Sequence, residues 1–187
     1  AYCRKKGHCH GSGQIPESGD NVFIDDSSTC LRMAEFIPYS KPLIITTTSL
    51  TAALEFNKCT KCTVFSLGGE LHKTAHSCFG PITQNLIKSM YFKTAFLGFY
   101  SITKDGLITT NSVNDLEIKK LIMQHSEKTI ALIDSSKIHE PRFFQLGTLL
   151  KWMQSLQMQV SRGLCGLLQG EPCGTDCCEC LNSAIYV

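Results

Sequence analysis

The 187-residue chain contains no apolar run approaching the roughly 20 residues that a bilayer-spanning helix needs. Basic residues occur in Ala1–Gln14, but no apolar stretch follows them as it would in a secretory leader. A cytoplasmic protein without membrane contact is the expectation. Charge of one sign is equally scarce, since eighteen basic residues against sixteen acidic ones leave a net charge of +2. No global field draws such a chain onto nucleic acid or an anionic membrane. A 43% hydrophobic composition at this length does allow one ordinary domain with a sizeable core.

Cysteine is plentiful, with eleven residues, but the number is odd and the distribution lopsided, which does not suit a closed disulfide framework. Cys30, Cys59, Cys62 and Cys78 lie in the body of the chain, whereas Cys165, Cys173, Cys177, Cys178 and Cys180 crowd into its tail. Cys59 with Cys62 and Cys177 with Cys180 each form a Cys-x-x-Cys. Zinc ribbons place two such pairs about 15 to 20 residues apart, far closer than here, so small core or surface thiols are expected instead. His8, Cys9 and His10 suit only adventitious metal contact. No metal or cofactor is expected.

From about residue 16 to 150 the chain alternates strand-like and helix-like segments, the pattern of βαβ units around a mostly parallel sheet. Short Ile/Phe/Leu/Val-rich runs at Val22–Asp25, Leu43–Thr47, Thr63–Leu67, Ala95–Phe99 and Thr129–Asp134 read as strands buried on both faces. Between them, Ser28–Ile37 carries Leu31, Ala34 and Ile37 on one helical face before Pro38 stops it. Ser49–Asn57 carries Leu50, Ala53 and Leu54 on one side, with Thr48 or Ser49 as cap. Pro81 fits the first position of a helix through Met90 with Ile82, Leu86 and Ile87 inward. Ser112 caps a longer one, with Asp115 at the third helical position and Leu116, Ile118, Leu121 and Ile122 following. Leu67–Gly80, opened by Gly68 and Gly69, fits neither period and reads as a hairpin excursion from the sheet edge. The expected fold class is therefore α/β, an open sheet with helices on both faces. Residues 1–15, an atypical N-terminal extension, and the Cys/Gly-rich C-terminal segment 151–187 share little of this texture, and periodicity assigns them no elements.

Three strands end in the same way. Val22–Asp25 runs into Asp26, Ser27, Ser28 and Thr29; Leu43–Ile45 runs into Thr46, Thr47, Thr48 and Ser49; Thr129–Ile133 runs into Asp134, Ser135, Ser136 and Lys137. In an open parallel sheet ligands bind outside the carboxyl ends of the strands, where helix N-termini offer N–H groups to anions. A small, polar, phosphorylated ligand is the expectation. Ser27, Ser28 and Thr29 suit a phosphate, although Ser28 or Thr29 acting only as an N-cap is an equal alternative. Thr48 and Ser49 form a second hydroxyl cluster, and Lys137 offers a point charge. Asp25 and Asp26 include one acceptor for sugar hydroxyls. Asp115 and Lys119, one helical turn apart, form a surface ion pair worth under about 1 kcal/mol on the plainer reading.

Five segments, in order, resemble the effector-sensing domain of DeoR-type transcriptional regulators: GDNVFIDDSST (Gly19–Thr29), IITTTSLTAA (Ile44–Ala53), SLGGELHKTAHSCFG (Ser66–Gly80), TAFLGFYSITKDGLITTN (Thr94–Asn111) and DLEIKKLIMQHSEKTIALIDSSKIHEPRFF (Asp115–Phe144). That resemblance implies a fold shared with ribose-5-phosphate isomerase and glucosamine-6-phosphate deaminase. It points Asp115 into the pocket and completes a candidate ligand-binding set with Lys119, Gly68 and Gly69. It also implies a repressor of carbohydrate metabolism that binds a phosphorylated sugar, acts as a homo-oligomer, and meets DNA through a helix-turn-helix for which too few residues precede Gly19. No catalytic residue is assigned. The alternative is a sugar-phosphate isomerase or deaminase, with Asp25, Asp26, Asp115 and Asp134 as candidate general bases.

Overall fold

The computed structural model describes residues 16–32, 42–133, 137–149, 151–152 and 159–160. The expectations for residues 1–15, for Ala34, Ile37 and Pro38, for Asp134, Ser135 and Ser136, and for the cysteines of the tail lie outside the described residues.

In chain order the elements are β1 (Asn21–Ile24), α1 (Ser28–Leu31), β2 (Ile44–Thr47), α2 (Leu50–Phe56), β3 (Thr63–Ser66), β4 (Glu70–Leu71), β5 (Cys78–Phe79) and α3 (Pro81–Lys88). They continue with β6 (Phe92–Gly98), β7 (Ser101–Ile102), β8 (Leu107–Thr110), α4 (Val113–Gln124), β9 (Ser126–Leu132), β10 (Phe144–Thr148) and β11 (Gln159–Val160). Six strands form one sheet in the order β11-β9-β6-β1-β2-β3, every neighbouring pair parallel. From β1 the chain builds outward to β2 and β3, then returns to the other side of β1 for β6, β9 and β11. The reversal falls between β1 and β6, the kind of point beyond whose strand ends ligands bind in open α/β sheets.

Alternate strand residues supply two cores because successive side chains point to opposite faces. Phe23, Ala95, Leu97 and Ala131 pack with Ile87 of α3 and with Ile118 and Ile122 of α4. Val22, Ile24, Phe96, Ile130 and Leu132 pack with Cys30, Ala52 and Phe56 from α1 and α2. Helices thus cover both faces, as the continuous apolar strands predict. The Ser49 hydroxyl accepts from Ala52 N at 3.2 Å, and the Ser112 hydroxyl accepts from Asp115 N at 3.2 Å, so two expected caps are formed. Pro81 takes the first position of α3.

Two helical faces differ from the sequence reading. In α2 the inward side is Ala52, Ala53 and Phe56, while Leu50 and Leu54 face out; in α3 Thr83 and Ile87 are buried, while Ile82 is 64% and Leu86 37% exposed. The reason in α3 is polar, since Thr83 Oγ1 donates to the Gly68 carbonyl at 2.8 Å, turning the helix so that a hydroxyl occupies the seam. The Leu67–Gly80 excursion is a hairpin of β4 and β5, as expected. A small antiparallel sheet of β10, β8 and β7 was not expected from periodicity. Its strands are short, and a register shift between Gln145 and Gly147 breaks the alternation that would reveal β10.

Gly69 has φ of 150°, and a Cβ there would lie 2.1 Å from Thr83 Oγ1 and 2.6 Å from the Phe79 carbonyl. Gly69→Ala is expected to destabilise the domain by about 1–3 kcal/mol through that strain. Urea denaturation midpoints at constant m-value measure it.

Candidate functional site

β1 ends at Ile24, and Asp25 follows while still inside the protein, 3% exposed. Its Oδ2 accepts a hydrogen bond from Gly98 N at 2.9 Å, which ties the end of β1 to the end of β6 across the topological reversal. The same oxygen lies 3.5 Å from Lys119 Nζ. Lys119 comes from α4, is itself 4% exposed, and also hydrogen-bonds Asp115 Oδ1 one turn earlier on the helix. Its ammonium stands 5.8 Å from the centre of the Phe99 ring. Strand β1, strand β6 and helix α4 therefore meet at one buried cation.

Asp25, Asp26 and Asp115 all act on that cation, and a single ammonium cannot neutralise three carboxylates. Burial opposes the charge on Lys119, but Asp25, Asp115 and Asp26 outweigh it and hold the amine well above the usual lysine range. Burial also pushes the Asp25 carboxyl up, to about 7; Lys119 opposes this, Asp26 and Asp115 add to it, and the Gly98 N–H resists it. A charged lysine beside a carboxyl poised near neutrality follows. The surface ion-pair reading of Asp115 and Lys119 is corrected here: the i, i+4 contact exists, but the lysine is buried.

The serine turn sits against this group. Ser27, rather than Ser28 or Thr29, caps α1, its hydroxyl accepting from Cys30 N at 3.2 Å. A Cβ on Gly98 would lie 2.1 Å from Ser27 Oγ and 2.4 Å from Ser27 Cβ, so the turn and β6 approach as closely as a glycine permits. Ser28 is exposed and Thr29 half-buried on the helix that follows. The neighbouring hydroxyl cluster is placed by sheet register, since Ile24 pairs with Thr47. Thr47 Oγ1 accepts from Ser49 N at 3.1 Å, and Thr48 O accepts from Cys78 N at 2.9 Å, which docks the hairpin on this turn.

Asp25, Asp26, Ser27, Asp115 and Lys119 are thus brought together, with Thr48 and Ser49 on the adjoining strand end. Gly68 and Gly69 are exposed at the start of the hairpin, and Gly68 is held by Thr83. Lys137 lies in a half-buried turn beyond β9, and the ion pairs of Asp25 and Asp115 go to Lys119 instead. Gly98 and Phe99 were not singled out by sequence reasoning. The available signal was a glycine inside an otherwise apolar strand, which marks a close backbone approach.

Residues 12–153 match the family model described as the DeoR C terminal sensor domain. The chain is 29% identical over 146 residues to the uncharacterized HTH-type transcriptional regulator YulB of Bacillus subtilis, covering 78% of this chain and 56% of that protein. It is 30% identical over 128 residues to the lactose phosphotransferase system repressor of Staphylococcus epidermidis, covering 68% and 51%. The chain thus spans about half the length of these relatives. Among solved structures, ribose 5 phosphate isomerase A from Neisseria gonorrhoeae superposes with a TM-score of 0.45 at 18% identity, covering 67% of this chain and 48% of that one.

With Asp25 raised from 3.8 to about 7, the folded protein keeps a proton that the unfolded chain releases, so its contribution to stability is complete below about pH 4 and lost as pH rises toward 7. The stability of the wild type relative to Asp25→Asn is therefore expected to fall across that interval, as read by denaturation at stepped pH. Separately, Gly98→Ala is expected to cost about 1–3 kcal/mol from overpacking. The cost should shrink in a Ser27→Gly background, because both crowded atoms belong to Ser27; a double-mutant cycle measures the coupling.

Proposed function

Because the chain belongs to the DeoR C-terminal sensor domain family, we propose that it is the effector-sensing part of a transcriptional repressor of carbohydrate metabolism and that its crevice binds a phosphorylated sugar. The observation that carries this reading is the Lys119 ammonium buried between Asp25 and Asp115 at the β1/β6 reversal. Burying an ion is costly, and a well-packed apolar substitute is often at least as stable, so the charges call for a role beyond holding the fold. Carboxylates and an ammonium at one point match the hydroxyls of a sugar, which both donate and accept. Ser27, Ser28 and Thr29 at the end of β1, with Lys137 beyond β9, are proposed to hold the phosphate; Thr48, Ser49, Gly68 and Gly69 border the same region.

Sensing requires the effector to bind one conformation better than another, since equal affinity shifts no population. The elements meeting at Lys119 come from three distant parts of the chain, so a ligand that reorders these contacts can shift α4 relative to the sheet. A homo-oligomer bound to DNA through a helix-turn-helix is the proposed setting, with paired subunits matched to paired half-sites.

One observation favours a second reading, that of a sugar-phosphate isomerase or deaminase. A general base works best with a pKa near the working pH, and Asp25 is poised near 7. Deuterium incorporation into sugar carbon in heavy water would establish that reading, and binding without exchange supports the sensor.

Thermal-shift measurements against a panel of phosphorylated sugars and their unphosphorylated parents test the proposal. At a hundredfold excess over Kd a ligand stabilises by about 2.7 kcal/mol, well within detection. At least one phosphorylated member should raise Tm while its parent does not, and Lys119→Met should remove the response. No shift with any phosphorylated sugar, or an equal shift with the parent, overturns it.

A further inference from the structure

The Cys-x-x-Cys of the body plays no part in the crevice. Cys59, Thr60, Lys61 and Cys62 form the turn that leads from α2 to β3, the edge strand of the sheet. Cys62 N donates to Cys59 O at 3.2 Å, closing an i to i+3 β-turn. Such a turn holds its first and last Cα atoms within about 7 Å, the span a disulfide bridges with little backbone movement. Both residues are thiols. The turn lies at the surface: Asn57, Lys58, Thr60 and Lys61 are exposed and Cys62 is half-buried, while Cys59 is 4% exposed beneath them.

We propose that Cys59 and Cys62 are a reversible dithiol–disulfide site, oxidised by a low-molecular-weight disulfide, with Cys59 as the attacking sulfur and Cys62 as the resolving one. The Cys59 thiolate attacks one sulfur of the reagent, forming a mixed disulfide and releasing one thiolate. Cys62 then loses its proton and attacks the Cys59 sulfur, closing the intramolecular bond and releasing the second thiolate. The protein loses two electrons and two protons, and the reagent is reduced to two thiols.

The electrostatics of the turn give the two sulfurs different parts. Burial alone would raise the Cys59 thiol, but the Cys62 thiol, the N–H groups of Lys61 and Cys62, and the Lys61 ammonium hold it below the usual range. Cys62 is pushed up to about 11, by burial first and then by its neighbour. The other thiols of the described residues differ in setting. Cys30 is fully buried under α1, donates to the Phe96 carbonyl at 3.5 Å, and is driven far above the usual thiol range by burial and by Asp25. Cys78 is buried in the hairpin. Neither has a second cysteine at turn spacing.

The test uses the full chain, first reduced, then incubated with oxidised glutathione, alkylated and digested with trypsin. Cleavage after Lys61 leaves the two cysteines on separate peptides unless they are bridged. The expected product is the linked pair Cys59–Lys61 and Cys62–Lys73, lost again on treatment with dithiothreitol. In Cys62→Ser, glutathione should remain trapped on Cys59, forming about tenfold faster at pH 7 than on the equally buried Cys78, because the backbone N–H groups and the Lys61 ammonium that favour the Cys59 thiolate remain. Recovery of only unlinked peptides from the wild type overturns the proposal. So does a Cys62→Ser chain, folded by circular dichroism, whose Cys59 reacts no faster than Cys78.

Discussion

One ammonium shared between the carboxylates of Asp25 and Asp115 holds the centre of this molecule. Lys119 reaches from α4 to the end of β1, and the oxygen it meets on Asp25 is the one that receives the Gly98 amide from β6. The two strands flanking the topological reversal are thus joined through a side chain as well as through the backbone bond from Asp25 N to the Phe96 carbonyl. Removing one partner of such a buried group strands the others without compensation, which makes the cluster sensitive to small changes in each member. A ligand that satisfies the same groups acts on the same balance.

The fold prepares that meeting by several local devices. The serine turn after β1 stands against β6 only because residue 98 has no side chain. The β2–α2 junction is braced by its own hydroxyls and by the hairpin, whose Cys78 amide bonds Thr48 and whose His76 carbonyl receives Leu50 N. Helix α4 is started by Ser112 with Asp115 in its first turn, and that aspartate then serves twice, near the helix N-terminus and as partner of Lys119. The Cys59–Cys62 turn sits at the opposite end of α2 from Ser49, so the helix connects a thiol pair at the sheet edge with the hydroxyls at the strand ends.

Much of this was legible in the residues. Apolar strands such as Val22–Ile24, capping serines, Pro81 and the glycine-bounded hairpin carry local signals that depend on neighbours only a few positions away. The misjudged faces of α2 and α3 show the limit. Ile82 and Leu86 satisfy a helical period, yet Thr83 is the residue turned inward, because its hydroxyl finds Gly68 fifteen positions earlier in the chain. The antiparallel sheet of β7, β8 and β10 was hidden by short strands and a bulge that disrupt alternation.

By itself the sequence determined the class of fold, the order of the central strands β1, β2, β3, β6 and β9 with the helices between them, and the chemistry gathered at the strand ends, because periodicity, caps and turns act over short range. Tertiary structure alone decided which groups touch. Nothing local distinguishes Lys119 from a solvated helix lysine spaced to pair with Asp115; it is buried because α4 lies over β1 and β6, where Asp25 meets it. Nor does anything near Gly98 reveal that Ser27 occupies the space of its missing side chain. Both contacts join residues far apart in sequence, and the energy of a buried charge depends on what surrounds it rather than on what precedes it in the chain.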